Sequence, residues 1–417
     1  MQVIVSHPTG NKNVRAVIES FFAEGLLSEF ATTISINAAS TYLKLLPLTL
    51  RTELQRRTFS IPSHKVSSYP VMEALRMTLP KIGLRKFTNS EHSFAGIDAV
   101  YRTLDHHVAQ RLPALVEKSK ISAVYAYEDG ALETFKKAKS LGLKCIYDLP
   151  IAYWECGRRL MKAEAERLPE WACTLGGGIN DSEEKLRRKT KELELADMVI
   201  APGDFVINSL PNWTGNKLKH LAPFGSPEGM ISDNLELKNK ESNRPLRILF
   251  AGSMGQRKGL GDLFAAMKLL NNSNLELVVM GSLLAPMEFY RQQFSSFRHE
   301  GGRPHAQVLE LMRSCDVFCL PSIVEGRALV MQEAMSQGLP IIITPNTGGE
   351  DLVIEGKTGF LVPISSPETI AEKLNWFLEN RKSITDMGRA AKEHASKYTW
   401  DAYGRSIAGA IKSNLRF

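Results

Sequence analysis

Short apolar runs of strand length alternate with helical patterns along this chain, and the alternation restarts once after an interruption. A strand–helix repeat of this kind requires parallel sheets that are covered by helices on both faces. In the first half the predicted strands are 2–6, 32–37, 121–127, 144–149 and 197–202. In the second half they are 246–253, 275–282, 316–322, 339–345 and 359–363.

A polar stretch without hydrophobic periodicity, residues 223–244, separates the two sets of strands and is interpreted as an interdomain linker. A chain of 417 residues is long for one compact domain and sufficient for two. The sequence therefore predicts an α/β protein of two doubly wound, Rossmann-like domains, whose parallel sheets face a cleft. The first domain is placed at 1–225 and the second at 226–395.

The composition is that of an ordinary globular protein, with 43% hydrophobic and 23% charged residues. No run approaches the roughly 18–20 apolar residues that span a bilayer. Met1 leads directly into a strand-like run, so no signal peptide is expected. The five cysteines show no CxxC spacing, and the apolar setting of Cys315 and Cys319 indicates core packing. These features favour a reducing, cytoplasmic location.

The basic residues are concentrated in one region, 41–90, which contains nine lysines and arginines but only two acidic residues. This local surplus of +7 equals the net charge of the whole chain. Because apolar residues alternate with the bases, the region is compatible with an anionic membrane surface, as a peripheral contact on the inner face of the cell membrane. A solvated basic face over a core is the alternative. Nucleic acid is disfavoured, because aromatic residues are not interleaved with the bases.

Ligands of open parallel sheets bind at the carboxyl ends of strands, so charged residues in the loops at these ends are candidates for ligand binding. In "LFAGSMGQRKGL" a strand opens into a loop with Gly252 and Ser253 and then delivers Arg257 and Lys258 at a helix entrance. Glycine allows close backbone approach, and two cations near a helix N-terminus favour an anion such as a diphosphate. A solvated Arg–Lys pair on a capped surface helix is the alternative interpretation.

A second strand end, "LPSIVEGRALVMQEAMSQG", carries two glutamates, Glu325 and Glu333. Residues eight positions apart in a helix are separated by roughly 12 Å, a span comparable to that from a sugar ring to a ribose across a diphosphate. Carboxylates accept hydrogen bonds from vicinal hydroxyls, and the amides of a first helical turn suit phosphate oxygens. The alternative is two exposed glutamates on an amphipathic helix.

Taken together, the Glu325–x7–Glu333 spacing, "AGSMGQRKGLGDLFAAM", "HAQVLELMRSCDVFCLP" and "EDLVIEGKTGFLVP" resemble the retaining glycosyltransferases of family 4, also called glycosyl transferases group 1. The resemblance covers nearly all of residues 246–363 and fades in the first half. It implies the GT-B fold, with an acceptor-binding first domain and a second domain that binds a nucleotide-sugar donor. It also implies that the last segment, 396–417, crosses back to the first domain as a helix, anchored by Trp400 and Tyr403.

The resemblance also implies roles for individual residues. Glu333 is expected to hold the ribose hydroxyls, and Glu325 to lie near the transferred sugar. Lys258, assisted by Arg257, is expected to neutralise the diphosphate. Backbone amides are expected close to the sugar and diphosphate at Gly326, Arg327, Ala328 and Leu329. The stretch "FRHEGGRPH" is expected to contact the base.

The sequence departs from the family's pattern at two positions. Ser253 stands where many members have an arginine, so that Arg257 is expected to supply the charge. Many members end a strand of the first domain with a histidine, and "KCIYDLPIAYW" offers Asp148 instead. Asp148 is interpreted either as a residue that orients or deprotonates the acceptor hydroxyl, or as a strand-end cap. His7 and Gly10, in the loop after the first strand, are further candidates on the acceptor side.

The predicted activity is the transfer of a hexose from a nucleotide diphosphate to a glycan or lipid-linked acceptor with retention of anomeric configuration, in cell-envelope or exopolysaccharide synthesis. The family's front-face mechanism needs positioning and charge stabilisation rather than a metal or cofactor. No Asp-x-Asp motif occurs, in agreement with that expectation. Two alternatives stay open: a non-catalytic scaffold subunit that binds nucleotide or glycan, and a GT-B sugar epimerase.

Overall fold

The computed structural model describes residues 1–36, 57–227 and 244–415, and within these ranges it contains two parallel sheets flanked by helices. Most of the predicted linker lies outside the described residues, as does the part of the basic region up to residue 56. Two parallel α/β domains agree with the fold class predicted from the sequence.

The first sheet has the strand order β3-β2-β1-β4-β5-β6-β7 in the described part of the chain. Its strands are β1 (Gln2–Ser6), β2 (Leu27–Thr32), β3 (Val66–Ser68), β4 (Ile121–Tyr127), β5 (Lys144–Asp148), β6 (Met198–Ala201) and β7 (Leu218–Leu221). The central strands β1, β4 and β5 are apolar and buried, as expected for a sheet that is covered on both faces.

Helices pack on both faces of this sheet. They are α1 (Lys12–Ala23), α2 (Val71–Thr78), α3 (Ile97–Lys118), α4 (Leu132–Ser140), α5 (Trp154–Arg167), α6 (Glu183–Leu195) and α7 (Asp204–Asn208). Helix α6 begins at an N-cap, Ser182, whose side chain accepts a hydrogen bond from the amide of Lys185. This start matters below, because α6 carries charged residues towards the cleft between the domains.

The second sheet has the order β10-β9-β8-β11-β12-β13 within the described residues. Its strands are β8 (Leu246–Ala251), β9 (Leu275–Met280), β10 (Phe297–Glu300), β11 (Val317–Leu320), β12 (Ile341–Ile343) and β13 (Gly359–Leu361). The helices of this half are α8 (Leu260–Leu270), α9 (Met287–Gln293), α10 (His305–Arg313), α11 (Leu329–Ser336), α12 (Pro367–Glu379), α13 (Ile384–Ala395) and α14 (Trp400–Asn414). Because the strands are parallel, the loops that follow β8 and β11 emerge at the same edge.

Short 3-10 turns complete the described secondary structure. They are Ser63–Lys65, Leu79–Ile82, Arg85–Phe87, Pro169–Thr174, Asn212–Thr214, Gln256–Lys258, Pro345–Thr347, Glu350–Leu352 and Arg381–Ser383. Cys315 and Cys319 are buried in the core of the second domain, as the sequence predicts, and no cysteine of the described chain is in a disulfide.

The last helix, α14, packs against α1 of the first domain. Tyr403 and Ile407 are buried in the core formed under the first sheet. A Cβ atom at Gly404 would lie 2.4 Å from the carbonyl oxygen of Ala16, so the two helices approach as closely as a glycine allows. Trp400 and Tyr403 both contact Phe224, with ring centroids 5.9 and 5.5 Å from it.

A second crossing between the halves was not predicted. Residues 152–174, called the bridging segment here, follow β5 in sequence. Tyr153 and Trp154 pack on the first domain, whereas Trp171, further along the segment, packs on the second. Trp171 is only 2% exposed and belongs to that domain's core, where it contacts Phe264, Phe289 and Tyr290. The second domain's core therefore depends on an aromatic side chain from the first half of the sequence.

Most of the strands predicted from apolar runs are confirmed, and their ends shift by one or two residues. The exception is the predicted strand 32–37, because the structure places β2 at Leu27–Thr32. Strands β3, β7 and β10 were missed. They are three or four residues long, and β7 is mostly exposed, so that they lack the apolar run on which the prediction depended.

Candidate functional site

The loop that follows β8 brings its two cations to one carboxylate. Glu325 Oε1 lies 2.5 Å from Lys258 Nζ and 2.9 Å from Arg257 Nη1. Burial lowers the pKa of Lys258, and the carboxylate of Glu325 opposes that shift. The structure therefore joins three residues that the sequence placed at two separate strand ends. An anion that reaches this point meets two cations held by a single carboxylate.

Backbone contacts hold the two loops of the second domain together. The amide of Ile323 donates to the carbonyl oxygen of Arg257 at 2.9 Å, and Arg257 Nη1 donates to that of Val324 at 3.1 Å. At the turn before α8, Gly259 has φ +74°, and a Cβ there would lie 1.9 Å from the carbonyl oxygen of Pro321. The position of Lys258 is thus fixed by a close approach that only glycine permits.

The loop carrying Glu325 also touches the first domain. The amide of Ala152, just after β5, donates to the carbonyl oxygen of Glu325 at 3.3 Å. A Cβ atom on Gly326 would lie 1.7 Å from the carbonyl oxygen of Pro150. The carboxyl ends of the two sheets therefore meet at Gly326, and any side chain at this position would push the two domains apart.

The backbone amides after Gly326 differ in whether they already have a hydrogen-bond partner within the protein. The amide of Ala328 donates to the carbonyl oxygen of Thr347 at 3.2 Å, so it is already engaged within the protein. Leu329 opens α11, where the first amides of a helix lack an intrahelical partner. The structure thus leaves the start of α11, rather than the amide of Ala328, to receive an anion. The predicted amide contacts to a ligand stay predictions.

The prediction for Arg327 was that its backbone amide contacts the ligand. Its side chain instead makes contacts within the protein. The guanidinium is fully buried and forms two hydrogen bonds with the carboxylate of Asp351, at 2.7 and 3.1 Å. It also donates to Gln332 Oε1 at 2.9 Å and lies 5.0 Å from the ring centroid of Tyr398. These contacts anchor the loop before α11 to the elements that follow β12.

Glu333 lies just over one turn into α11 and accepts a hydrogen bond from His305 Nε2 at 3.0 Å if that nitrogen carries the proton. Its side chain is 18% exposed, and His305 begins α10. His305 belongs to "FRHEGGRPH", the stretch that was expected to contact a nucleotide base. The structure therefore brings this stretch next to Glu333, the residue expected to hold a ribose.

The remaining predicted residues of the loop after β8 are half-buried. The Gly252 amide donates to the carbonyl oxygen of Met280 at 2.9 Å, and the Ser253 carbonyl oxygen accepts from Gly255. Gly252 adopts φ +153°, and a Cβ there would lie 3.5 Å from the Lys258 side chain. Both residues shape the loop beside Lys258.

The two acceptor-side candidates at the end of β1 lie close to the first domain's core. His7 is buried, and its ring stacks edge-on with Tyr127 at 4.4 Å between centroids. Burial lowers the pKa of His7 to about 4, so its imidazole is neutral at ordinary pH. At Gly10 a Cβ would lie 2.8 Å from the Arg15 guanidinium and 2.9 Å from the Phe59 ring. Their roles towards an acceptor stay predictions.

Asp148 ends β5 and is only 2% exposed. Burial raises its pKa to about 7, the Tyr125 hydroxyl opposes that shift, and Glu128 reinforces it. Its Oδ2 atom makes no hydrogen bond to the described residues. Asp148 interacts with Tyr125 on β4 and Tyr403 on α14, and it is absent from the lining of the cavity between the domains. Its proposed catalytic role stays a prediction.

A cavity of about 420 Å³ lies between the domains, beside Glu325. The second domain contributes Glu325 and Gly326 to its lining. From the first domain it is lined by side chains that sequence reasoning missed, among them Asp98, Tyr101, Tyr127, Glu128, Asp129 and Lys189.

A signal for two of them was present in the sequence. Glu128 and Asp129 come directly after the predicted strand 121–127, at its carboxyl end, where ligand-binding residues are expected. Tyr127 is the last residue of that strand, the others come from α3 and α6, and only the folded chain brings them together.

The described residues offer neither a metal site nor a membrane-spanning helix. Within the described ranges, no three histidine, cysteine or acidic side chains are grouped so that they could hold a metal ion. Nor does any helix in these ranges have the length and apolarity needed to cross a membrane.

The second half of the chain is similar to known glycosyltransferases in sequence. The sequence model of the family described as glycosyl transferases group 1 matches residues 232–394. A sulfoquinovosyl transferase of Arabidopsis thaliana is 30% identical over 208 residues, covering 49% of this chain and 40% of that protein. A D-inositol 3-phosphate glycosyltransferase of Paenarthrobacter aurescens is 31% identical over 218 residues, covering 46% of this chain and 52% of that protein. The chain thus spans about half the length of these curated relatives.

Solved structures match over nearly the whole chain. Sucrose-phosphate synthase from Thermosynechococcus elongatus superposes with a TM-score of 0.61 at 17% identity, covering 100% of this chain and 99% of that one. HepE of Anabaena in complex with UDP-glucose gives a TM-score of 0.60 at 16% identity, covering 99% and 100%. At this identity the likeness establishes the fold, which is GT-B. Residues 232–394 of this chain are therefore similar to the glycosyl transferases group 1 family, within a chain that has the GT-B fold.

Proposed function

We propose that this chain is a retaining glycosyltransferase of family 4 that transfers a hexose from a nucleotide diphosphate donor to a glycan or lipid-linked acceptor. One observation carries the proposal: Arg257 and Lys258 converge on Glu325 where the two sheets face each other, within the segment that matches the group 1 family. Two cations and a carboxylate at this point suit a diphosphate joined to a sugar. The HepE complexes with UDP and UDP-glucose support a nucleotide-sugar donor.

In this proposal each residue has a separate task. Lys258 and Arg257 stabilise the negative charge that grows on the departing diphosphate. The free amides at the start of α11 contribute to the same stabilisation. Glu325, held by both cations, accepts a hydrogen bond from a hydroxyl of the transferred sugar. Glu333 accepts hydrogen bonds from the ribose, beside His305.

The proposed reaction occurs on one face of the sugar. The bond between the anomeric carbon and the diphosphate oxygen breaks, and a bond to the acceptor oxygen forms on the same face. The acceptor's proton passes to the departing diphosphate, so the protein supplies position and charge stabilisation rather than a strong base. Because Lys258 and Arg257 provide the compensating charge, metal independence is part of the proposal.

We further propose that the protein works in the cytoplasm at the inner face of the cell membrane, in cell-envelope or exopolysaccharide synthesis. In the described part of the basic region, apolar side chains project into solvent: Val71 and Ile82 are each 68% exposed. Lys81, Arg85 and Lys86 are exposed among them. Apolar side chains mixed with cations suit an anionic surface. Co-flotation with vesicles that contain phosphatidylglycerol, but not with phosphatidylcholine vesicles, tests this part.

The activity is tested with the purified chain and the glucose esters of uridine, guanosine and adenosine diphosphate. We expect nucleotide release from one of them, in EDTA as well as in magnesium, and an NMR spectrum of the product with the donor's anomeric configuration. Binding of the nucleotide without turnover of any donor would favour the non-catalytic scaffold. Conversion of the sugar while it stays on the nucleotide would favour the epimerase. Activity only with magnesium would overturn metal independence alone.

A further inference from the structure

The interdomain cavity has a first-domain wall whose chemistry restricts what can bind against it. Two tyrosines, Tyr101 and Tyr127, line it with their ring centroids 6.3 Å apart. Beside them lie Glu128 and Asp129 at the end of β4, and Lys189 from α6. A cavity of 420 Å³ is within the range of about 300–1,000 Å³ that is typical of small-molecule sites.

Lys189, a cation of this wall, is already balanced by carboxylates. Its Nζ lies 3.4 Å from Glu128 Oε1, 3.5 Å from Asp129 Oδ2 and 3.6 Å from Asp181 Oδ2. Its side chain is 10% exposed. Three carboxylates around one ammonium leave no net positive charge for a phosphate to meet.

The other cations at this cavity are balanced in the same way. Lys185 Nζ lies 3.0 Å from Asp181 Oδ1. Arg188, behind the wall, is paired with both Asp98 and Asp129. The guanidinium of Arg327 is held by Asp351, as described above. A phosphate group placed in the cavity would therefore have to displace an internal carboxylate from its partner, and it would suffer repulsion from the other carboxylates.

Glu128 differs from its neighbours on this wall because one of its two carboxylate oxygens, Oε1, lacks a hydrogen bond within the described residues. The residue is 5% exposed, and Oε1 makes no hydrogen bond to the described residues despite its ion pair with Lys189. A buried carboxylate oxygen without a donor is costly, and it is satisfied when a ligand supplies a hydroxyl. Aromatic walls next to such an oxygen suit the apolar face of a sugar ring, which also carries hydroxyl groups at its edge.

We infer that this wall binds the acceptor's terminal unit as an uncharged, polyhydroxylated ring, with Glu128 accepting a hydrogen bond from one of its hydroxyls, and that it discriminates against phosphorylated rings. The inference rests on the proposed function, since it assigns an acceptor to the site beside Glu325. It adds the chemical class of that acceptor and makes Glu128 a specificity-determining residue, which Lys189 holds in place.

The experiment has two steps, so that failure of the inference is distinguishable from failure of the proposed function. Binding of uridine, guanosine or adenosine diphosphate is measured first by calorimetry, which tests the donor site alone. Saturation-transfer NMR then measures the binding of matched ring pairs to the nucleotide-bound protein. The pairs are glucose with glucose 6-phosphate, mannose with mannose 6-phosphate, and galactose with galactose 1-phosphate.

We expect at least one neutral sugar to bind more tightly than its phosphate by about tenfold or more, the scale of one hydrogen bond to a charged group. Glu128→Gln should reduce that preference, because it removes the carboxylate and leaves Lys189 with less compensation. Lys189→Met should weaken the binding of both phosphorylated and neutral rings without reversing the order of their affinities. The control is Glu194→Gln, on the same helix as Lys189 but 42% exposed, which should change neither.

Three results would overturn the inference while nucleotide binding remains intact: tighter binding of the phosphorylated members, no binding of any ring, or an unchanged preference in a folded Glu128→Gln protein. Circular dichroism and retained nucleotide binding establish that the variant is folded. If no nucleotide binds, the proposed function fails, and with it the assignment of this wall to an acceptor.

Discussion

The two domains build their shares of the cleft in different ways. In the second domain the charged residues come from two loops, and Arg257 and Lys258 are neighbours in the sequence. In the first domain the wall is assembled from α3, the end of β4, and α6, which lie far apart in the chain. A site made from one or two continuous loops can be recognised from a sequence pattern. A site assembled from distant elements can be recognised only in the folded structure.

The domains also differ in how their charges are balanced. Lys258 and Arg257 share one carboxylate, Glu325, so the second-domain site keeps an excess of positive charge. Lys189 faces three carboxylates. The first arrangement suits a diphosphate, and the second suits an uncharged ring. Four changes would break or sharpen this contrast.

The largest effect is expected from a substitution in the bridging segment. This segment comes from the first half of the sequence but contributes Trp171 to the second domain's core, so the two domains are not fully separate. Trp171→Ala removes an aromatic side chain from the second domain's core and should lower the free energy of unfolding by about 3–5 kcal/mol. Urea denaturation measures this change. Trp213→Ala is the control, because Trp213 is 48% exposed and should cost little. Equal effects of the two variants would contradict the assignment of Trp171 to that core.

The next effect concerns the positive charge at the donor site. Lys258→Ala should lower kcat by about 10²–10³-fold, the loss found when one stabilising donor is removed from a site of charge development. Steady-state nucleotide release measures it. Lys268→Ala, an exposed lysine on α8, is the matched control and should be close to wild type. A Lys258 variant with normal turnover would break the proposed division of labour between the domains.

A smaller effect is expected where the two domains touch. Gly326→Ala places a methyl group against the carbonyl oxygen of Pro150, and relief of the clash should cost about 1–3 kcal/mol of stability. Gly409→Ala is the control, since no atom lies within 4 Å of a Cβ at that helical position. Thermal unfolding compares the pair. If Gly326→Ala is as stable as Gly409→Ala, the contact between the sheets is not close in solution.

The smallest effect is a dependence on pH that originates in the first domain. Because burial raises the pKa of Asp148 to about 7, the folded state binds its proton more tightly than the unfolded state does. Wild-type stability should therefore fall as the pH rises from about 4, the unfolded value, to about 7. Asp148→Asn removes this loss, so the variant should gain roughly 1–2 kcal/mol relative to wild type between pH 6 and pH 8.

Urea denaturation at the two pH values measures the change at Asp148. Asp386→Asn is the control, since that carboxylate is 78% exposed and should show no such gain. A stability difference between Asp148→Asn and wild type that is the same at both pH values would show that Asp148 titrates normally.

The sequence was informative where apolar runs and charged loops are continuous. It predicted β8, β9 and β11 and the residues that meet at Glu325, because a buried parallel strand is apolar along its length and its loop follows directly. Even so, the meeting of Arg257 with Glu325 depends on β8 and β11 being neighbours in the sheet.

The sequence was less informative where long-range contacts determine the position or the role of a residue. Strand β2 contains Glu29, which reads as a break in an apolar run, but the folded chain pairs it with Arg111 at 2.6 Å. Trp171 gave no sign that it belongs to the other domain. Glu128 was readable as a strand-end residue, but its importance comes from Lys189 and the tyrosines around it.

The most direct test of the central claim is thermal unfolding of the protein with uridine, guanosine and adenosine diphosphates, beside Lys258→Ala and Glu333→Ala. A ligand at about 100 times its dissociation constant adds about 2.7 kcal/mol, which raises Tm by several degrees. We predict a rise with one nucleotide that both variants lose. No rise with any nucleotide, or an undiminished rise in both variants, would contradict a donor site at the carboxyl ends of β8 and β11.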